Sequence, residues 1–318
     1  MAQDTIPVFF TVDGSYIPFL AAALTSAIEN SSPDRNYKAI ILYENVSDES
    51  QNRIKSLAKD NFAIEFVPMT EGLETITDRM SNRLRCDYFT LTIYFRLFIP
   101  AMFPEYDKAI YIDSDVVLES DLAELFDTDL KDNFIGACFD HSIEDVPELV
   151  RYTVEAVGVP KGEYINSGVL LMNTKKLRGA ELDKHFLSLL NTYHFDSVAP
   201  DQDYLNAMCC GKILYLDEGW DAMPNDRKPP IQNPKLIHYN LFSKPWCRDG
   251  VQYGDVFWKY AEKSGFIDEI KDYKENYSDK QRTADNETMG FLVKRGVEIT
   301  ESEVTFKKMF EDGVKIRL

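Results

Sequence analysis

Three apolar runs of strand length alternate with two segments of helical periodicity over the first 67 residues of the chain. The runs are residues 6–12, 37–43 and 62–67, and the helical segments are residues 17–30 and 47–60. The runs are predominantly apolar rather than apolar only at every second position, which is typical of parallel strands covered on both faces. This alternation predicts an α/β fold in which helices flank a parallel sheet.

The pattern continues less regularly through the middle of the chain and changes after about residue 265. We expect further strands at 109–112, 134–140, 164–173 and 235–240, helices at 89–103 and 177–193, and a polar, turn-rich connection at 68–88. Residues 271–318 contain ten basic and ten acidic residues, so the net charge of −18 lies entirely before them. We therefore divide the chain into a main domain, residues 1–264, and a small helical accessory region, residues 265–318.

Composition and charge exclude several classes of function. A chain with 53 acidic and 35 basic residues lacks the basic surface by which proteins bind nucleic acid. It contains no run of about 18 apolar residues, so we expect no transmembrane helix, and its start lacks the basic region of a secretory signal. The five scattered cysteines show no zinc-binding spacing and are expected to be free thiols. These features predict a cytoplasmic protein.

Pairs of aspartates one residue apart occur three times, and their positions relative to the strands distinguish them. Asp113 and Asp115 directly follow the strand at 109–112. Ligands of open α/β sheets bind beyond the carboxyl ends of the strands, so this pair is a candidate for a ligand site. No strand precedes Asp127 and Asp129, and we interpret them as surface residues.

The third pair, Asp201 and Asp203, follows Pro200 at the expected start of a helix. Negative side chains in the first turn of a helix are stabilised by the helix dipole. A structural role is therefore an open alternative for this pair.

Two carboxylates at a strand end can converge on a hard divalent cation, whose remaining ligands are often phosphate oxygens of a substrate. His238 ends a later strand, and Lys244 follows six residues after it. An imidazole ligand favours manganese over magnesium. A metal ion and an ammonium group so close together would neutralise a diphosphate.

Four stretches of the chain, in this order, resemble the motif blocks of the family-8 glycosyltransferases. They are AIYIDSDVVLESDLAELF, YINSGVLLMNTKKLR, PDQDYLN and HYNLFSKPW. The resemblance spans about residues 6–260. It implies the GT-A nucleotide-diphospho-sugar transferase fold, with a single mixed, mainly parallel sheet, and makes residues 1–264 the catalytic domain. The family includes glycogenin and the bacterial lipopolysaccharide galactosyltransferases and glucosyltransferases, which are retaining, metal-dependent enzymes.

The resemblance also implies roles for individual residues. The metal ligands, for Mn²⁺ or alternatively Mg²⁺, would be Asp113, Asp115 and His238. The residues that bind the UDP-sugar donor would be Thr11, Asp13, Ser15, Tyr16, Ser114, Ser167 and Lys244. The residues at the reacting sugar would be Gln202, Asp201, Arg96 and Asn166. The chain departs from the family pattern at Leu241, where many members have glycine, and at Gly14-Ser15, where many have Asp-Asn.

For three of these residues the sequence leaves a structural role open. Arg96 stands alone in an apolar segment and could pair with a carboxylate at the edge of the core, because an unpaired buried charge is costly. Asn166 could hold a turn. Tyr16 could either stack on the uracil base or pack in the core.

The implied reaction moves glucose or galactose from a UDP-sugar to a glycan or a lipid-linked saccharide, with retention at the anomeric carbon. Such an acceptor is compatible with weak peripheral contact to the inner face of the membrane. Gln202 is a poor nucleophile, Asp201 or Asp203 could form a covalent intermediate, and we favour front-face return. Two alternatives are a sugar-1-phosphate nucleotidyltransferase, which would need a basic glycine-rich loop after the first strand, and a non-catalytic nucleotide-sugar-binding module.

Overall fold

A mixed sheet forms the centre of the protein. The computed structural model describes residues 5–69 and 91–318. Within these ranges the strands are β1 Thr5–Asp13, β2 Asn36–Glu44, β3 Phe62–Pro68, β4 Ala109–Ile112, β5 Val116–Leu118, β6 Ile135–Ala137, β7 Val169–Met172, β8 Ile213–Tyr215 and β9 Leu236–His238. Seven of them form one sheet in the order β3-β2-β1-β4-β7-β6-β8, and β5 pairs with β9 in a separate antiparallel ladder.

The large sheet is mainly parallel, as predicted. Strand β7 runs antiparallel to its neighbours β4 and β6, and the other four pairings are parallel. The three regular apolar runs at the start of the chain form β1, β2 and β3, which are paired side by side over their full length. The largely apolar character of β1 and β2 follows from burial on both faces, whereas β3, at the edge of the sheet, is only partly buried.

Helices cover both faces of the sheet and continue to the end of the chain. The α-helices are α1 Ile17–Glu29, α2 Asp48–Lys55, α3 Ile99–Met102, α4 Leu122–Phe126, α5 Pro147–Tyr152, α6 Thr174–Gly179, α7 Leu182–Tyr193, α8 Pro200–Cys209, α9 Gly254–Ala261, α10 Ile267–Asn276, α11 Asp279–Glu301 and α12 Phe306–Glu311. Three 3₁₀ segments, Gly14–Tyr16, Leu91–Leu97 and Glu218–Asp221, and a π-helical turn, Thr153–Val157, complete the set in the described ranges. None of these helices is long and apolar enough to cross a bilayer.

Two predicted helices are each divided in the structure. The segment predicted as one helix at 89–103 is a 3₁₀ stretch followed by α3, because Pro100 cannot donate the hydrogen bond that a continuous helix needs at that position. The segment at 177–193 falls into α6 and α7, which are separated where Glu181 adopts a left-handed backbone with φ 53°. The polar connection predicted at 68–88 lies almost entirely outside the described residues, as do residues 89 and 90.

Two predicted strands are shorter than expected because their ends turn towards the candidate site. Only Val169–Met172 of the segment 164–173 pairs in the sheet. Before it, the side-chain oxygen of Asn166 accepts the backbone N–H of Gly168 at 2.8 Å in a local turn, and Ile165 keeps only an isolated antiparallel bridge to Phe139. The strand at 134–140 likewise ends at Ala137.

Two hydrophobic cores lie on opposite faces of the sheet, and the C-terminal helices contribute to both. Neighbouring residues of β1 point to opposite sides, so Phe10 belongs to the first core and Phe9 to the second. Ile270 of α10 is buried in the first core, whereas Leu292 and Ile299 of α11 are buried in the second. The C-terminal region is therefore packed against both layers of the main domain.

Gly296 marks the closest approach of α11 to α5. A Cβ atom at this position would lie 3.0 Å from Leu149 Cδ2 and 3.6 Å from Tyr152 Cβ, whereas a Cβ at Gly290 of the same helix would meet no atom within 4 Å. The absence of a side chain at Gly296 thus lets the two helices pack closely.

We expect Gly296→Val to lower the free energy of unfolding by about 1–3 kcal/mol, because the added methyl groups force the two helices apart. The matched Gly290→Val variant should be neutral or slightly stabilising, since valine has the higher helix propensity. Urea denaturation of both variants measures the difference. Equal stability of the two would show that α11 does not pack against α5 as described.

Candidate functional site

The two-stranded ladder brings a histidine to the aspartate pair. Asp113 follows β4 directly and its backbone N–H donates to Gly168 O at 2.8 Å, while Asp115 precedes β5. In the ladder Val116 lies opposite His238, the last residue of β9. As a result one ligand atom of each of Asp113, Asp115 and His238 lies within 4.8 Å of the others.

These three side chains have the chemistry of a divalent-cation site. His238 Nε2 lies 3.4 Å from Asp115 Oδ1 and 3.9 Å from Asp113 Oδ2. Two carboxylate oxygens and one imidazole nitrogen suit Mn²⁺, and Mg²⁺ less well because it prefers oxygen ligands. The residues present therefore fit the metal that the resemblance implies.

Asp221 holds the imidazole ring from behind. His238 Nδ1 lies 2.9 Å from Asp221 Oδ1, and both side chains are buried. Donation from Nδ1–H to this carboxylate leaves the Nε2 lone pair directed at the aspartates, as in the carboxylate–histidine–metal arrangement. Burial lowers the pKa of His238, but Asp221 and Asp115 outweigh it and raise this pKa to about 10, so a cation at Nε2 competes with a proton. The sequence analysis missed Asp221, which follows no strand and belongs to none of the motif blocks.

Lys244 joins the aspartate pair to Tyr16. Its Nζ donates to the carboxylate of Asp115 and to Tyr239 O at 2.8 Å, and it lies 5.8 Å from the centre of the Tyr16 ring. Burial raises the pKa of Asp115, but Lys244 and His238 outweigh burial and hold this pKa well below its usual range. Asp115 is therefore anionic.

Leu241, at the position where the resemblance implies glycine, has a left-handed backbone. Its φ is 54°, in the left-handed region that glycine adopts without strain and leucine does not. The backbone between His238 and Lys244 therefore includes a conformation that favours glycine, although the residue is leucine.

Arg96 is buried and links the metal cluster to the helix α8. Its guanidinium lies 2.9 Å from Asp113 Oδ1 and 3.2 Å from Asp201 Oδ2, and it donates to Ser167 O at 2.6 Å. Burial opposes the charge, but Asp113 and Asp201 outweigh it and raise the pKa of Arg96. Arg96 therefore pairs with carboxylates, which the sequence left open, and it also lies next to the candidate site.

A second group of polar side chains adjoins this cluster around Asp140, another residue that the sequence analysis missed. Asp140 Oδ2 accepts from Gln202 Nε2 at 2.7 Å and from Asn166 Nδ2 at 3.3 Å. Gln202 Oε1 in turn accepts the backbone N–H of Ser167 at 3.1 Å. All four side chains are buried. Asn166 therefore holds its turn and also reaches the polar cluster.

The two aspartates that open α8 have different surroundings. Asp201 accepts from Ser167 Oγ at 2.9 Å as well as pairing with Arg96. Asp203 is fully buried and accepts from three hydroxyl groups and a backbone N–H, those of Tyr152, Tyr164, Ser197 and Ala199. None of these donors belongs to the cluster around Asp113, so Asp203 has a structural role, whereas Asp201 faces the candidate site.

Four of the residues implied for donor binding, Thr11, Asp13, Ser15 and Tyr16, lie at the end of β1 and in the turn after it, next to the aspartate pair. Thr11 Oγ1 lies 2.8 Å from Tyr111 Oη, which donates to Asp113 Oδ1 at 2.6 Å. Ser114 Oγ donates to Thr11 O at 2.9 Å. These bonds fix the end of β1 relative to the cluster.

The short turn after β1 carries the remaining three of these residues. Asp13 Oδ1 accepts the backbone N–H of Ser15 at 2.8 Å, which caps the 3₁₀ segment. Tyr16 is half-buried and its ring packs edge-on against Phe19 at 5.4 Å. Packing therefore holds this ring beside Lys244 and leaves part of it exposed.

The pair Asp127 and Asp129 is on the surface, as expected. Asp127 forms a two-pronged ion pair with Arg35, at 2.8 and 3.0 Å, and the Asp127 side chain is 59% exposed. Asp129 Oδ1 accepts the backbone N–H of Lys131 in a local turn.

Gly168 leaves the space that the cluster occupies. A Cβ atom here would lie 2.3 Å from His238 Cε1 and 2.8 Å from Asp113 Oδ2, both impossibly close. Glycine is therefore required at this position for the histidine and the aspartate to meet.

We expect Gly168→Ala to weaken Mn²⁺ binding in the presence of UDP at least about tenfold, because the methyl group displaces His238. Isothermal titration calorimetry measures this affinity. Gly179→Ala is the matched control, because its added Cβ would meet no atom within 4 Å. Unchanged Mn²⁺ affinity in a folded Gly168→Ala protein would contradict the described approach of His238 to Asp113.

Asp221→Asn should also weaken Mn²⁺ binding about tenfold, because it removes the charge that orients the imidazole ring and increases its basicity. Asp217→Asn, which changes an exposed aspartate four residues earlier, should leave the affinity unchanged. The same titration tests both variants. Equal affinities would show that Asp221 does not support His238 as a ligand.

Comparison with known proteins places the site in a family. The model of glycosyl transferase family 8 matches residues 7–250. A lipopolysaccharide 1,2-glucosyltransferase of Escherichia coli K12 is 25% identical in an alignment 282 residues long. This alignment covers 81% of this chain and 78% of that protein. A Haemophilus influenzae protein named as a glycosyltransferase is 30% identical to this chain. The match covers 71% of this chain and 66% of that protein.

A solved structure shares the fold closely. The galactosyltransferase LgtC, in complex with donor and acceptor sugar analogues, superposes with a TM-score of 0.70 at 26% identity, over 81% of this chain and 96% of that one. Like its neighbours, this chain has the GT-A fold, with a mixed, mainly parallel sheet flanked by helices and a C-terminal helical extension. The family model covers more than three quarters of the sequence and includes every residue of the cluster, so the chain belongs to glycosyl transferase family 8.

Proposed function

We propose that this protein is a retaining hexosyltransferase that moves glucose or galactose from a UDP-sugar to a glycan or lipid-linked saccharide, with Mn²⁺ as the metal. The observation that carries the proposal is the convergence of Asp113, Asp115 and His238 within 4.8 Å, with Lys244 bonded to Asp115. A dianionic diphosphate needs positive charge on more than one side, and this arrangement supplies a cation site and an ammonium group together.

The comparisons support the donor and acceptor classes. LgtC has been solved with donor and acceptor sugar analogues, and the Escherichia coli relative is named for glucose transfer to lipopolysaccharide. We infer from these relatives that the acceptor is a saccharide of a cell-surface glycan. The boundary at residue 264, a cytoplasmic location and weak contact with the inner face of the membrane stay predictions.

The residues of the site would have different roles in breaking the bond between the sugar and the diphosphate. When bound, Mn²⁺ supplies Lewis-acid stabilisation of the charge that develops on the leaving UDP. Lys244 adds a positive charge beside Asp115, and Tyr16 offers a partly exposed ring next to it for the uracil base. Arg96 carries a buried positive charge between Asp113 and Asp201, where it orients both carboxylates.

We favour front-face return over a covalent intermediate. The bond between the anomeric carbon and the β-phosphate oxygen breaks, the acceptor oxygen attacks the same face, and the acceptor proton passes to the departing phosphate. Asp201 is paired with the buried Arg96, which reduces its nucleophilicity, and Asp203 is enclosed by hydrogen-bond donors. Gln202 is an amide held by Asp140, so it can orient the sugar but is a poor nucleophile.

Two alternative functions make different demands on the site. A nucleotidyltransferase would hold a triphosphate with basic groups after β1, but the turn Gly14–Tyr16 contains neither lysine nor arginine. A non-catalytic binding module would bind UDP with Mn²⁺ and leave every UDP-sugar unchanged, and the following experiment distinguishes it.

We expect release of UDP from one UDP-hexose, in the presence of Mn²⁺, when the protein is assayed with a panel of UDP-, GDP- and ADP-sugars with and without added metal. Asp115→Asn should lower this rate at least about a hundredfold, because it removes a charged metal ligand. Asp127→Asn, which changes the surface pair, is the matched control and should retain full activity. Hydrolysis of no nucleotide sugar, or equal rates in both variants, would overturn the proposal.

A further inference from the structure

The turn that carries Lys244 is held on one side by the aromatic core and on the other by α11. Within the turn, the backbone N–H groups of Cys247 and Arg248 both donate to Lys244 O, at 2.9 and 3.1 Å. On the core side, Trp246 stacks on Phe19 of α1 with ring centres 4.3 Å apart. The turn therefore moves as a unit with the backbone of Lys244.

The first two turns of α11 contact the opposite side of this turn. Arg282 Nε donates to Cys247 O at 3.1 Å. Arg248 Nη2 donates to Asp285 Oδ2 at 3.2 Å, and Tyr277 Oη donates to the same oxygen at 2.9 Å. Two polar contacts thus run from α11 to the residues that bind the carbonyl of Lys244.

The other end of α11 is anchored far from this turn. The helix has 23 residues and therefore spans about 34 Å. Near its C-terminal end Gly296 packs against α5, and Arg295 pairs with Asp196 at 2.8 Å. Because the C-terminal end of α11 is fixed in the second core, the first turns of the helix are held in place beside the turn that carries Lys244.

We propose that α11 positions Lys244 for the diphosphate, which makes Arg282 and Asp285 positioning residues of the donor site. This inference rests on the proposed function. The lysine side chain is long and flexible, so its placement beside Asp115 depends on the backbone from which it projects. Loss of the α11 contacts lets the turn populate other positions. The apparent donor affinity then equals the intrinsic affinity multiplied by the fraction of molecules in which the turn is in place.

Arg282 and Arg295 provide a matched pair of variants on the same helix. Each arginine pairs with an acidic residue three positions away in α11, Asp279 or Glu298, and each makes a polar contact outside the helix. Arg282 also lies over the ring of Tyr277, with its Cζ 5.8 Å from the ring centre. Their side chains are 36% and 27% exposed. Arg282→Ala removes the contact to the lysine turn, and Arg295→Ala removes a comparable contact at the distant end.

The expected result is a split between donor binding and turnover. Arg282→Ala should raise the KM for the UDP-hexose and the Kd for UDP with Mn²⁺ by about three- to tenfold, the worth of one charge-assisted hydrogen bond at this exposure, with kcat changed less than about twofold. Arg295→Ala should leave KM and Kd unchanged. The two variants should lower the melting temperature by similar amounts. Asp285→Ala should act as Arg282→Ala does, and the double variant should show less than the sum because both hold one turn.

Equal effects of Arg282→Ala and Arg295→Ala on Kd, or no effect of either, would overturn the inference. Calorimetric titration of UDP in the presence of Mn²⁺ decides this without turnover, so a protein that binds UDP but transfers no sugar still tests it. If the unchanged protein neither binds UDP nor cleaves a UDP-sugar, the proposed function fails first, and the inference fails with it.

Discussion

The balance of charge around Asp113 and Asp115 is the constraint on which the rest of the site depends. Two carboxylates held next to each other repel unless positive groups lie between or beside them. Arg96 approaches the first, Lys244 the second, and His238 lies between them. In a chain with a net charge of −18, Arg96 and Lys244 offset part of this local negative charge, and a divalent cation held by the aspartates and His238 would supply the positive charge that an anionic ligand needs.

Arg96, His238 and Lys244 each come from a different part of the fold, and each has its own support. Arg96 lies in a 3₁₀ segment and is held by the carbonyl of Ser167. His238 is delivered by the β5–β9 ladder and oriented by Asp221. Lys244 projects from a turn whose outer side rests on α11. The geometry of the cluster is therefore a property of the whole domain, and the C-terminal helices contribute to it through packing in both cores.

Close approach and backbone conformation constrain the chain at two points near the cluster. At Gly168 no side chain fits between His238 and Asp113. At Leu241 the chain must turn sharply between a metal-ligand candidate and the lysine, and the left-handed conformation persists although the residue is leucine. Surrounding structure that maintains such a conformation against its intrinsic cost is common at functional sites.

The sequence by itself determined the strand–helix alternation, the mainly parallel sheet and the placement of Asp113, Asp115 and His238 at strand ends, because these features depend on local periodicity and on short motifs. It did not reveal the roles of Asp140, Asp221 or Gly168, because each of them acts through contacts with residues far away in the chain. The division of two helices at Pro100 and Glu181 depended on backbone geometry that apolar periodicity does not record. The tertiary structure alone decided that α11 supports the lysine turn, since that contact forms only when both cores are packed.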